Sequence, residues 1–142
     1  MYGTFPLFAH PPIRCHYYAS VTGDDDKLDD VRAKLWKIGF MPSVFKKNKE
    51  QTRAEGVDIA LTKDMLSHAF GDHYDVAVLL AGDGDYVPLV EKLSDRGKIV
   101  CVSFFEAEEA AMSPRLKAAC DYFLPVDMFF RMMSLEIAAQ HT

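Results

Sequence analysis

Two aspartates flanking a glycine carry the clearest chemistry in this chain, Asp83 and Asp85 in Leu79-Leu80-Ala81-Gly82-Asp83-Gly84-Asp85-Tyr86-Val87-Pro88. Carboxylates this close repel one another unless a positive charge lies between them. A hard cation such as Mg²⁺ takes oxygen ligands, commonly one or two carboxylates completed by water and substrate phosphate. The stretch therefore reads as a candidate metal site. The competing reading is a capped turn, because Asp-Gly is ordinary turn chemistry and an Asp at a helix N-terminus is stabilised by free N–H groups and the dipole. A calcium loop is excluded, since neither this turn nor Asp24-Asp25-Asp26 continues with the required ligand positions and distal Glu. A second carboxylate, Asp58, falls in the first turn of a helix opened by Gly56-Val57. Asp64 lies six positions further on, off that helix face, and is expected to meet solvent or to support a ligand from behind.

The elements that must position these groups alternate along the chain. Asp75 to Leu80 is short, apolar and rich in β-branched residues, as expected of a strand buried on both faces of a parallel sheet. Gly82 and Gly84 permit a sharp turn, and Pro88 suits the first turn of a helix over Val87 to Asp95. Asp83 and Asp85 then sit at the carboxyl end of a strand, where open α/β sheets bind their ligands. Upstream, Arg14 to Ser20 reads as a strand and Asp24 to Ile38 as a helix with Leu28, Val31, Leu35 and Ile38 at helical spacing and Gly39 as its stop. Asp24-Asp25-Asp26 marks that helix's N-terminus. Pro42 to Phe45 forms a short strand, and Gly56 to Ala69 a helix carrying Val57, Leu61, Met65 and Leu66. Downstream come a strand at Ile99 to Ser103, a helix near Ser113 to Cys120, a strand at Tyr122 to Leu124 and a terminal helix from about Asp127 to Ala139. Such alternation implies right-handed crossovers and a three-layer α/β fold, a parallel sheet flanked by helices.

A length of 142 residues, 49% of them hydrophobic, suits one globular domain with a sizeable core. Residues 1–13, broken by Pro6, Pro11 and Pro12 and lacking a basic leader, are expected to be irregular and not a signal peptide. No apolar run reaches the roughly 18 residues of a membrane span. Cys15, Cys101 and Cys120 have no zinc-ligand spacing, and reduced, mostly buried thiols in a cytoplasmic protein are the expected account. The net charge of −5 does not advertise nucleic acid, but overall sign misleads where bases cluster apart from carboxylates. The third glycine of a dinucleotide fingerprint is missing, and so is a Gly-Lys-Ser/Thr phosphate loop. His10, His16, His68, His73 and His141 show no paired spacing.

Gly56-Val57-Asp58-Ile59-Ala60-Leu61-Thr62-Lys63-Asp64-Met65-Leu66, followed by Tyr74 to Val90 with its Gly-Asp-Gly-Asp turn, resembles the NYN domain of the PIN-like nuclease group. Further matches are Leu93 with Gly97-Lys98-Ile99-Val100, Ser113 with Leu116, and Ala119 with Asp121-Tyr122-Phe123. The resemblance covers roughly residues 14 to 125, and implies that residues 14–142 form a single Rossmann-like, PIN-like domain. It also implies a domain that binds Mg²⁺ or Mn²⁺ through Asp58, Asp83 and Asp85 and cleaves RNA with them. The family pattern has an earlier Asp at the end of its first strand. The first Asp of this chain, Asp24, follows the Tyr17-Tyr18 strand, which resembles the family's second, so the chain looks like a member without the first strand and helix. A sheet without a central strand has an exposed edge or a gap in its core, to be filled by residues 1–13 or by another subunit, as in a homodimer.

Lys46, Lys47, Lys49 and Arg53 form a basic connection before Asp58, suited to phosphates on either side of a cleavage point and so to single-stranded RNA. An ordinary solvated loop is the alternative. Tyr86 could stack on a base, although a packing role is the stronger expectation. Three functions follow: a metal-dependent endoribonuclease; a non-catalytic relative that binds RNA or a protein; and, least favoured, a phosphohydrolase with an Asp nucleophile. The last type of enzyme places its paired Asp after the first strand, whereas here the turn comes late.

Overall fold

In a computed structural model, residues 14–47, 56–106, 112–128, 131 and 139 are described. The chain forms two compact units, Met1–Leu61 and Thr62–Thr142, whose boundary falls inside a helix. Both are α/β with parallel strands, as the alternation predicts.

In the first unit, β1 (Cys15–Val21) pairs in parallel with β2 (Phe40–Lys46), in a register running from Cys15 opposite Phe40 to Val21 opposite Lys46. Helix α1 (Asp25–Lys37) makes the crossover. Its start is the acidic run: the Asp24 carboxylate accepts the Lys27 N–H at 3.0 Å, satisfying one of the orphan donors of the first turn. Gly39 ends it at φ 96°, a conformation open to glycine without strain. Leu28 is buried. Ile38, expected to join the apolar stripe, is instead the C-cap and exposed, because the helix stops one residue earlier. Arg32 bridges layers, donating to the Val44 carbonyl at 3.0 Å and to Asp29 at 2.7 Å.

Helix α2 (Val57–Phe70) opens after Gly56, at φ 97°. Its C-terminus closes in a tight turn in which the His73 N–H donates to the His68 carbonyl at 2.9 Å and the two Nδ1 atoms lie 2.9 Å apart. That pairing spans five positions, a spacing that gave no sequence signal. The Tyr74 hydroxyl donates to the Met65 carbonyl at 2.7 Å, and burial pushes its pKa up to about 12. Asp72, at φ 56°, pairs with the buried Lys98, whose ammonium holds the Asp72 carboxyl below the usual carboxylate range.

The second unit contains β3 (Val76–Leu80), β4 (Ile99–Phe104) and β5 (Tyr122–Pro125), parallel and in that order. Val78 pairs with Cys101, which pairs with Tyr122. Helices α3 (Val87–Asp95) and α4 (Pro114–Ala119) make the two crossovers, and successive right-handed crossovers in one direction place both on the same face. Under them lie Ala77, Leu79, Val100 and Val102, packed with Val90, Leu93 and Leu116; the last five named have no exposed surface, and Ala77 and Leu79 are buried. The opposite face presents Val76, Val78, Leu80, Ile99, Tyr122 and Leu124, all exposed. This corrects the expectation that β3 is buried on both faces: successive side chains point to opposite sides, and only one side is covered among the described residues. Residues 126–128 are helical, and most of the terminal helix expected from Asp127 to Ala139 lies outside the described residues.

Cys101 is buried, Cys120 half-buried and Cys15 exposed, and all three are free thiols, so burial of the cysteines is less general than expected. Among the described residues no helix is long and apolar enough to cross a membrane.

Candidate functional site

The turn at the end of β3 is held from two sides, and its glycines are where it is gripped. A methyl group at Gly82 would lie 2.4 Å from Cδ1 of Phe104, the last residue of β4, so the ring occupies the place of a side chain. At Gly84 a methyl would lie 2.8 Å from Oγ of Ser113. Ser113 also donates its backbone N–H to the Gly82 carbonyl at 2.8 Å, and its Oγ caps α4 by accepting from Leu116 N–H at 3.4 Å. The end of β4 and the start of α4 therefore clamp the two glycines on either side of Asp83. The sequence resemblance includes Ser113 but suggests no role for it; its only local signal is Ser before Pro114, an N-cap followed by a proline in the first helical turn.

Gly84–Tyr86 form a single 3₁₀ turn leading into α3. Asp83 caps it, with Oδ1 accepting the Asp85 N–H at 2.9 Å, which is the capped-turn chemistry anticipated as the alternative reading. One Asp83 oxygen is thus fixed by the backbone, and that bond orients the whole carboxylate. Both Asp83 and Asp85 are exposed, two residues apart on the same turn. Pro88 lies in the first turn of α3, as expected. Tyr86 is 8% exposed, so its ring is part of the core and unavailable to stack on a base.

Asp58 lies in the first turn of α2 and is exposed; it belongs to the first unit, Asp83 and Asp85 to the second. Asp64 is half-buried and lies 3.5 Å from the Lys63 ammonium. Of the basic connection, Lys46 ends β2 and sits 3.4 Å from Asp25, and Lys47 donates its backbone N–H to the Val21 carbonyl at 2.9 Å. Lys49 and Arg53 lie outside the described residues.

The donors that the turn itself offers are oxygen only, the carboxylates of Asp83 and Asp85, and that chemistry fits a hard cation completed by water or phosphate. Among the described residues no three His, Cys, Asp or Glu side chains converge as a ready-made ligand cluster.

A family model described as NYN domain matches residues 7–128. The crystal structure of a protein of unknown function from Vibrio parahaemolyticus is similar over 80% of this chain and 68% of its own, at 28% identity and a TM-score of 0.60. No curated protein matches the chain.

Proposed function

The chain belongs to the NYN domain family, of PIN-like nuclease fold, and from that premise we propose that it is a metal-dependent endoribonuclease acting on single-stranded RNA. The observation that carries this reading is the clamped Gly82–Asp85 turn, which offers two exposed carboxylates at the carboxyl end of a parallel strand. Such a clamp has a clear use. Two like charges on a mobile turn swing apart, whereas a fixed backbone keeps them together at a cost met by folding. Asp83 and Asp85, with Asp58 as a third carboxylate, are the residues that would hold Mg²⁺ or Mn²⁺. A cation in such a site supplies Lewis acidity at the scissile phosphate and lowers the pKa of a bound water. The chain's own part is to hold the carboxylates, orient Asp83 through the Asp85 N–H, and guide the RNA backbone through Lys46, Lys47, Lys49 and Arg53.

A second reading, a non-catalytic NYN relative that binds RNA, has its own support. Among the described residues β1 and β3 each pair with one strand only, and no three His, Cys, Asp or Glu side chains converge as a ready-made ligand cluster. Calorimetry with Mn²⁺ separates the two readings when run on the chain and on Asp83→Asn, followed by cleavage of single-stranded RNA with and without the cation. Saturable Mn²⁺ binding lost in the variant, together with metal-dependent cleavage, is the expected result. RNA binding without Mn²⁺ binding or cleavage by a folded chain would establish the non-catalytic reading.

A further inference from the structure

We propose that Arg115 is a phosphate-contacting residue of the carboxylate turn, delivered there by the Ser113 clamp. This inference rests on the RNA-binding reading above. Ser113 bonds to Gly82 through its backbone N–H and lies against Gly84 through its hydroxyl, so the start of α4 is in direct contact with the backbone that carries Asp83. Arg115 follows two residues later, in the first turn of α4, and is exposed. Its long side chain begins beside the turn and has the reach to extend over it.

The other cations of this unit are mostly engaged. Lys98 pairs with Asp72, and Lys63 with Asp64. Lys117 pairs with Glu106 at 2.7 Å and covers the Phe123 ring, while Arg96 covers the Phe70 ring. Arg115 makes no ion pair and no ring contact with any described residue. Lys92 and Arg131 are similarly uncommitted, but Lys92 lies in the last turn of α3, at the end of that helix away from Asp85, and Arg131 lies beyond β5, where no described residue bonds to the backbone of the turn as Ser113 does. The position of Arg115 also brings no benefit to its own helix. A cation in a first turn faces the positive end of the helix dipole, and α4 carries no acidic residue there to offset it. An exposed guanidinium that starts from the helix end touching the carboxylate turn, and that pairs with no described residue, is placed for a ligand that brings its own negative charge to the turn. A phosphodiester does so, and its oxygens accept the paired N–H donors of a guanidinium. The carboxylates alone repel such a backbone, and Arg115 offsets that repulsion on the side where α4 begins.

The test is fluorescence anisotropy of a labelled single-stranded RNA across a salt series, with the chain, Arg115→Gln and Arg115→Lys, beside Mn²⁺ calorimetry and cleavage kinetics on the same samples. Arg115→Gln is expected to weaken RNA binding roughly three- to tenfold and to reduce the salt slope by about 0.7, the increment for one phosphate of a single strand. Mn²⁺ affinity and kcat are expected to stay within about twofold, so the loss falls on KM. Arg115→Lys is expected to restore the salt slope and part of the affinity. Unchanged affinity and slope in Arg115→Gln overturn the proposal, while loss of cleavage in Asp83→Asn in the same series keeps the nuclease reading intact. Absence of any RNA binding by the unsubstituted chain overturns both.

Discussion

The two faces of the β3–β4–β5 sheet are built from the same kinds of residue and meet different surroundings. Ala77, Leu79, Val100 and Val102 lie under α3 and α4 and are buried. Val76, Val78, Leu80, Ile99, Tyr122 and Leu124, one position out of phase, are between 45% and 71% exposed. Side-chain type therefore does not distinguish them. What does is the direction of the two crossovers, which take both helices to one side. The covered face also leads into the candidate site, since Phe104 shares the phase of Val100 and Val102 and its ring stands against Gly82. The same packing that supplies stability thus fixes the carboxylate turn.

The largest effect should come from the covered face. Leu116→Ala removes a side chain with no exposed surface, in a helix that also carries the Ser113 clamp, and is expected to cost about 2–5 kcal/mol in urea or thermal unfolding. Next is Gly82→Ala, which adds one methyl where Phe104 already stands. Overpacking of this kind costs about 1–3 kcal/mol, and Phe104→Leu in the same chain should recover part of it. Its loss of Mn²⁺ affinity should exceed that of Leu116→Ala measured well below either transition, because the added methyl displaces the turn itself. On the open face, Val78→Ala is expected to cost less than about 1 kcal/mol, as half of the side chain is already in water. A penalty for Val78→Ala as large as that for Leu116→Ala would mean that both faces are covered in solution, and the contrast would collapse.

These contrasts also mark where the sequence was readable. Periodicity and punctuation placed every strand and helix of the described residues within a few positions, because Asp24, Gly39, Pro88, Ser113 and Gly97 are local signals for local events. The run from Asp75 to Leu80 reads as buried on both sides because a nearly unbroken apolar strand carries no phase, and coverage depends on crossovers that the strand itself does not encode. At the site, the two carboxylates and their glycines were legible from residue type alone. The reason for those glycines was not: Phe104 and Ser113 are 22 and 29 positions from Gly82 and Gly84, and such contacts exist only once the fold has formed. Tyr86 could be read either as a core residue or as a stacking platform until its burial was seen.

The smallest effect is also the most discriminating, because it reads the open face without changing a residue. Cys101 lies in phase with Val78 and Tyr122 on that face, yet its own surface is buried, so it is enclosed by its neighbours within an otherwise exposed surface. Burial first, and then the Cys120 thiol beside it, push its pKa up. Because the thiolate is the reactive form and Cys101 is buried, its alkylation should be slower than that of the exposed Cys15 at neutral pH, and should keep accelerating beyond the ordinary thiol range. The sign for stability follows from the same shift. A thiol that ionises later in the folded chain than in the unfolded one contributes stability below the unfolded pKa of about 8.5, and that contribution is lost as pH rises toward the folded value. Mass spectrometry of a timed iodoacetamide reaction across this range gives the order of labelling. Cys15 first and Cys101 last, with the Cys101 rate still climbing above the ordinary thiol range, agrees with a face that is open at its rim and closed at its centre. Equal rates would place Cys101 in contact with solvent, and the open face would then extend across the full width of the sheet.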